Sequence, residues 1–344
     1  MKIYCPEPLA SHPLVQNFYF KYAPEKRMGG LFRENLSPNF FKHADFVEDR
    51  NEADVIVLPN NFLRLDEVAT EYIARYASEA KVPVFVFSFG DLTHALRFDS
   101  RVRVLRFSTY RTLMTSNDIV VTTTVDDPSP HGIAIRTKTD APTISFCGQA
   151  SYATWAQWLR YYAKVAVYHI GALVYPAFLA RVVGVYWRRR ALRACRVSND
   201  IHLDSIVRSS FSGAASTIEL APEEARKQFV ENMRESDFVL APKGDGNYSN
   251  RFVEALASGR IPVVIDTDMP LPLEADIDYT KICIRVPMSE VGKIPVYIRA
   301  FYDQLTPEEW EARQRLARDT FERYLRQDMC LEQVFGRVLA GSAS

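Results

Sequence analysis

The chain has 344 residues, 47% of them hydrophobic, with Lys+Arg and Asp+Glu balanced at 42 each. That length suits two domains at ~100–200 residues apiece, and the balanced charge excludes a dedicated nucleic-acid binder, which would be strongly basic. The five cysteines (Cys5, Cys147, Cys195, Cys283, Cys330) are odd in number, widely spaced and free of any Cys-x-x-Cys pair. They read as reduced core thiols, not as a disulfide frame or a zinc site. Met1 leads almost directly into an apolar run, with no basic-then-apolar leader, so a cytoplasmic location is expected.

In chain order, strand-like runs fall at Lys2–Cys5, Asp54–Leu58, Pro83–Phe87, Val102–Phe107 and Asp118–Val121, with a helical pattern at Glu67–Ala80. Strands alternating with helices predict an α/β domain with a parallel sheet over residues 1–140. The run Asp126–Gly132 breaks structure, and Thr137–Pro142 reads as a linker. A second domain over 141–305 takes strands at Thr143–Cys147, Phe238–Leu240, Pro262–Ile265 and Ile282–Val286, and helices at Pro222–Glu235, Asn250–Ser258 and Ser289–Leu305. The last segment, 306–344, opens on Thr306, Pro307 and Glu309, a capping box with proline at the first helical position.

The most informative stretch is Ser236–Asp266, SDFVLAPKGDGNYSNRFVEALASGRIPVVID. It reads as strand, glycine-rich turn, short helix, glycine stop and second strand. Gly244 and Gly246 allow a tight turn with open amides, Ser249 is placed as an N-cap, and Arg251 and Glu254 share a helical face. An arginine at a helix start suits phosphate, and a carboxylate one turn on suits a sugar hydroxyl pair. Lys243 is a further candidate for phosphate charge.

The same residues resemble the exostosin-type glycosyltransferases: Ser236, Pro242–Gly244, Ser249–Arg251, Glu254–Leu256 and Gly259–Val264 follow that family's pattern, as does Met269–Pro287. Weaker echoes lie at Ala53–Pro59 and Ile144–Gln149. One departure is Arg260, where the family often has Cys. The resemblance implies two facing Rossmann-like domains of the GT-B type, with a C-terminal helix crossing back to the first. It implies inverting transfer of a sugar from a nucleotide-diphosphate donor, a UDP-sugar above all, to a saccharide or lipid-linked saccharide in polysaccharide or surface-glycan synthesis. Arg190 is the closest match to a further family arginine, with Arg189 almost as good. No metal or other cofactor is implied, since arginines and loop amides suffice to stabilise a leaving diphosphate.

An inverting transferase needs a general base on the first domain, facing the cleft. The loop after Pro83–Phe87 offers Asp91 and His94. Asp266-Thr-Asp268 resembles a metal-binding Asp-x-Asp, but its place past the donor loop favours a turn. Two rivals stay open. Gly244–Ser249 is near the dinucleotide fingerprint, with Asp266 as its ribose acid; and a non-catalytic sugar-nucleotide or glycan binder would carry the same pocket. Finally, an insert at about 150–197 holds an uncharged run, Val165–Ala180, followed by a cluster of arginines. It falls short of the ~20 apolar residues of a membrane span. It reads either as a buried helical pair or as an interfacial helix, giving peripheral membrane contact through 165–196 at the inner face of the plasma membrane.

Overall fold

The computed structural model describes residues 1–26, 38–210 and 221–342. Its first sheet is built from β1 (Lys2–Tyr4), β2 (Asp45–Val47), β3 (Val55–Asn61), β4 (Val84–Phe87), β5 (Val102–Arg106) and β6 (Asp118–Val120), in the spatial order β2-β1-β3-β4-β5-β6 with every pair parallel. The second sheet contains β7 (Thr143–Gln149), β8 (His202–Arg208), β9 (Phe238–Leu240), β10 (Ile261–Asp266) and β11 (Ile284–Pro287). Its order is β11-β10-β9-β7-β8, again all parallel. Both sheets are therefore doubly wound, with the chain reversing direction beside the first strand. Crevices at the carboxyl ends of such reversal points are where α/β sheets bind ligands.

Helices in chain order are α1 (Tyr19–Tyr22), α2 (Glu67–Glu79), α3 (Trp155–Val174), α4 (Gly184–Arg196), α5 (Pro222–Arg234), α6 (Asn250–Ala257), α7 (Ile294–Asp303), α8 (Pro307–Thr320) and α9 (Gln327–Ser342). The strand alternation explains how the first sheet is covered. Successive side chains of β4 point to opposite faces. Val84 and Val86 pack with Ala69, Ile73 and Ala77 of α2, while Phe85 and Phe87 join the large core on the other side. There α9 supplies the cover: Phe335 stacks on Phe85 with ring centroids 4.1 Å apart and meets Phe41 edge-on at 5.7 Å. The C-terminal helix thus crosses back onto the first domain, as expected. Its start is fixed there by Asn17, which donates to Gln327 Oε1 at 3.1 Å.

The capping box at Thr306 and Glu309 forms as read, with both reciprocal bonds present. The insert between β7 and β8 folds as two helices joined by the short turn Pro176–Arg181. Helix α4 is the covering helix, burying Val185, Trp187, Ala191, Leu192 and Cys195, whereas α3 buries only Tyr161 fully. The insert is thus neither a fully buried pair nor a span; no helix among the described residues is long and apolar enough to cross a membrane.

Loops at the carboxyl ends of the two sheets meet. Arg111, in the loop after β5, donates its backbone amide to the Asp268 carbonyl at 2.9 Å. Its guanidinium pairs with Asp266 at 3.0 Å and Glu274 at 3.1 Å. Thr112 donates amide and hydroxyl to Asp268 at 3.0 and 2.6 Å. The Asp-x-Asp stretch is therefore a clamp between domains.

Candidate donor site

Strand β9 ends at Leu240, and the chain turns through Ala241–Ser249 before α6 begins. The turn is closed by the Gly244 amide, which donates to the Tyr248 carbonyl at 2.9 Å. Helix α4 starts against this loop because Gly184 has no side chain: a Cβ there would lie 2.6 Å from the Lys243 carbonyl oxygen. The first turn of α4 is thereby held at the loop's back, and this places the next residue of interest, Arg188, one turn on.

Arg188 and Arg251 converge on the carboxyl end of β7. Arg251 Nη2 donates to the Cys147 carbonyl at 2.9 Å, with its guanidinium 4.7 Å above the Phe146 ring. Arg188 Nη1 donates to the Gln149 carbonyl at 3.0 Å. Gly148 lies between these carbonyls, and a Cβ on it would strike Arg251 Nη2 at 2.5 Å. Both arginines are half-buried overall, yet Nε of each is shielded from solvent without a hydrogen-bond partner among the described residues. Burial, and then the Arg251 cation, pull the Arg188 pKa down to about 10; burial lowers that of Arg251 too. Asp245 and Glu254 offset this in part, but neither forms an ion pair with the two arginines. A largely desolvated cation with no ion-pair partner among the described residues costs roughly 2 kcal/mol, so the reversal point of this sheet favours an incoming anion.

The residues expected to serve the donor are placed as follows. Glu254 is buried and accepts from Arg226 Nη1 at 2.6 Å; Arg226 also lies 3.5 Å from Asp126. Burial raises the Glu254 pKa and Arg226 works against that rise. Lys243 is buried as well, but it points to the domain seam, donating to the Ala180 carbonyl at 2.8 Å and to the Tyr110 hydroxyl at 3.1 Å. Burial brings its pKa down to about 7. Ser249 has N-cap backbone geometry without a side-chain cap bond; it lines a small apolar cavity at the seam with Phe107, Val121, Tyr248 and Leu271. Arg190 does not join the arginine pair: it is exposed and donates to the Tyr186 hydroxyl at 3.0 Å. Arg189 lies over the Trp158 ring at 4.6 Å. The arginine that reaches the loop is Arg188. Its sequence signal was its place four residues from both Gly184 and Leu192, on the buried stripe of α4.

The amide of Gly246, expected to lie open, instead donates to Asp91 Oδ1 across the seam at 3.1 Å. The neighbouring Asn247 amide donates to Ser108 Oγ at 3.0 Å, and its side-chain amide donates to the carbonyls of Thr109 and Thr267. A backbone amide enclosed between domains must be paired, and the first domain supplies the acceptors. Asp91 thus touches the Ala241–Ser249 loop directly. Tyr248 bonds it too, and burial followed by the Asp91 charge keeps that phenol protonated. His94, three residues on, is exposed; its carbonyl accepts from Arg106 at 3.0 Å. Partial desolvation, then the Arg106 cation, lowers the His94 pKa. Arg260, the departure from the family pattern, is a buried tie: it donates to Gln314 Oε1 at 2.7 Å and to the carbonyls of Ala134 and Arg234. Asp266, which a dinucleotide would need for its ribose, is held by Arg111.

Residues 187–300 match the family model of the exostosin GT47 domain. The match makes this segment, about a third of the chain, exostosin-like. The matched segment runs from the start of the arginine run through β8–β11 and so contains Arg188, Arg251 and Glu254. Over 118 residues the chain is 31% identical to the Exostosin-1 homolog of Caenorhabditis elegans, a stretch covering 33% of this chain and 30% of that protein. The exostosin domain here therefore spans about a third of the length of that curated relative. Among solved structures, the chain is similar to the lipopolysaccharide outer core galactosyltransferase WaaB in its apo form, at a TM-score of 0.45 and 11% identity over 98% of this chain and all of that one (100%). It is also similar to a glycosyltransferase from Rickettsia africae ESF-5, at a TM-score of 0.37 and 11% identity, covering 84% of this chain and 78% of that one.

Proposed function

We propose that the protein is an inverting glycosyltransferase that moves a sugar from a nucleoside-diphosphate donor, a UDP-sugar in the first instance, to a saccharide or lipid-linked saccharide acceptor in surface-glycan synthesis at the cytoplasmic face. The observation that carries this reading is the arginine pair at the carboxyl end of β7, Arg188 from α4 and Arg251 from the start of α6, which has no ion-pair partner among the described residues and lies in the exostosin-like segment. A diphosphate placed there satisfies the shielded guanidinium nitrogens of Arg188 and Arg251 in two-pronged fashion. Glu254, one turn further on, is the ribose acceptor, with Arg226 fixing its orientation.

In the reaction, an acceptor hydroxyl attacks the anomeric carbon from the side opposite the diphosphate. The bond from that carbon to the diphosphate oxygen breaks as the new glycosidic bond forms. The hydroxyl proton passes to Asp91, and the charge left on the diphosphate is taken up by Arg188 and Arg251. These two cations supply the stabilisation that a metal gives in other transferases, so a chelator is expected to leave turnover unchanged. The seam contacts of Asp91 and Ser108 with the loop must part for a donor to enter, and re-form around it.

The test is a thermal-shift screen across nucleotide sugars, followed by release of the nucleoside diphosphate in the presence of saccharide acceptors. Asp91→Asn is expected to keep donor binding and lose turnover, and proton NMR of the product should show the inverted anomer. Full turnover in Asp91→Asn would remove Asp91 from the mechanism. Retention of configuration would overturn the single-displacement route.

A further inference from the structure

Helix α3 carries a long apolar face that points away from the fold. At ~100° per residue, Trp158, Tyr161, Val165, Tyr168 and Ala172 fall on the inner side, where Trp158 meets Arg189 and the neighbouring His169 bonds the Tyr186 hydroxyl at 3.1 Å. On the outer side Trp155, Leu159, Val167, Ile170, Leu173 and Val174 form one stripe. Trp155 is 78% exposed, Ile170 66% and Leu173 85%. Scattered apolar residues on a surface are ordinary; a continuous stripe along a 20-residue helix is not.

The charge around it is one-sided. Between Asp140 and Asp200 the chain has eight Lys and Arg and no Asp or Glu, although the whole sequence is balanced. Arg160 and Lys164 flank the stripe on α3 itself, and Arg189, Arg190, Arg193 and Arg196 are exposed on the adjoining α4. The exostosin match begins at residue 187, so α3 lies outside it.

We propose that α3 is a membrane-surface helix: it lies in the plane of an anionic bilayer, its outer stripe at the acyl boundary and the flanking cations at lipid phosphates. The helix is ~30 Å long at 1.5 Å per residue, and it is not apolar enough to span. An apolar stripe bordered by cations is the pattern that binds interfaces. A second copy of the chain is the poorer occupant, because a two-fold contact through this face sets one cationic border against another. The proposal does not depend on the transferase reading.

The experiment is co-sedimentation of the full chain with phosphatidylcholine vesicles, with and without phosphatidylglycerol, at low and high salt. Binding is expected to the anionic vesicles, and to weaken by about tenfold or more in high salt or in Ile170→Glu/Leu173→Glu. Val296→Glu, at an exposed apolar position of α7, should bind as the wild type does. Both variants replace exposed side chains, and melting curves with nucleotide titrations check that the fold and the donor site survive. Equal binding to neutral and anionic vesicles, or undiminished binding by Ile170→Glu/Leu173→Glu, overturns the proposal. So does a lipid-free dimer in sedimentation velocity that this double variant abolishes, since that makes a second copy the occupant.

Discussion

Replacing Arg251 by methionine separates the cost of a buried cation from its use. The substitution removes a hydrogen bond to the Cys147 carbonyl at 2.9 Å and a contact with the Phe146 ring at 4.7 Å, together worth about 2 kcal/mol. It also removes a desolvated charge and its repulsion with Arg188, which relieve the folded state by a similar amount. Methionine keeps much of the volume and packs well against aromatic rings. The free energy of unfolding, measured in urea without ligand, is therefore expected to stay within about 1 kcal/mol of the wild type. A bound diphosphate, in contrast, loses two charge-assisted bonds at ~1.5 kcal/mol each, about 3 kcal/mol, or roughly 100-fold in Kd. Calorimetric titration with nucleoside diphosphates reads that loss. A variant that unfolds about 3 kcal/mol more easily while binding nucleotide as before would refute the reasoning and make Arg251 a structural tie to β7.

Phe335→Ala empties a site enclosed by Phe85, Phe41 and Phe40; a loss of about 3–5 kcal/mol is expected in urea unfolding, with nucleotide affinity unchanged because the proposed donor site is in the other domain. Lys243 has its pKa lowered from 10.5 to about 7 in the folded state, so its contribution to stability is greatest above pH 10.5 and is lost as pH falls toward 7. The stability of Lys243→Met relative to wild type should rise by several kcal/mol, in order of magnitude, as pH is lowered across that window, and urea titrations at several pH values check the sign. Gly184→Val forces α4 away from the Lys243 carbonyl; nucleotide binding should weaken by about tenfold or more, readable by the same calorimetry.

Much of the second domain was legible because its signals are local. Ile261–Ile265 is a run of β-branched residues and proline bounded by Gly259, whose φ of +68° ends α6, and a turn of that kind announces itself in sequence. The edge strand β8 was not legible, since His202–Arg208 mixes polar and apolar residues without strict alternation on a half-covered edge. Three consecutive arginines, 188–190, point about 100° apart on a helix, so selecting Arg188 required the register of α4. The acceptors of the Gly246 and Asn247 backbone amides belong to the other domain, more than 130 residues away, and no local pattern encodes them. The role of Arg260 as a tie to Gln314 and Ala134 is long-range in the same way. The exposure of α3 depends on which of the two insert helices covers the sheet, and here the arginine-rich α4 does.

The central claim is a pocket built for a diphosphate by Arg188 and Arg251, and calorimetric titration of paired nucleoside mono- and diphosphates tests it most directly. The expected result is a diphosphate preference of about tenfold or more for at least one base, abolished in Arg188→Met/Arg251→Met. Equal affinity for mono- and diphosphates, or a preference that survives in the double variant, would contradict it.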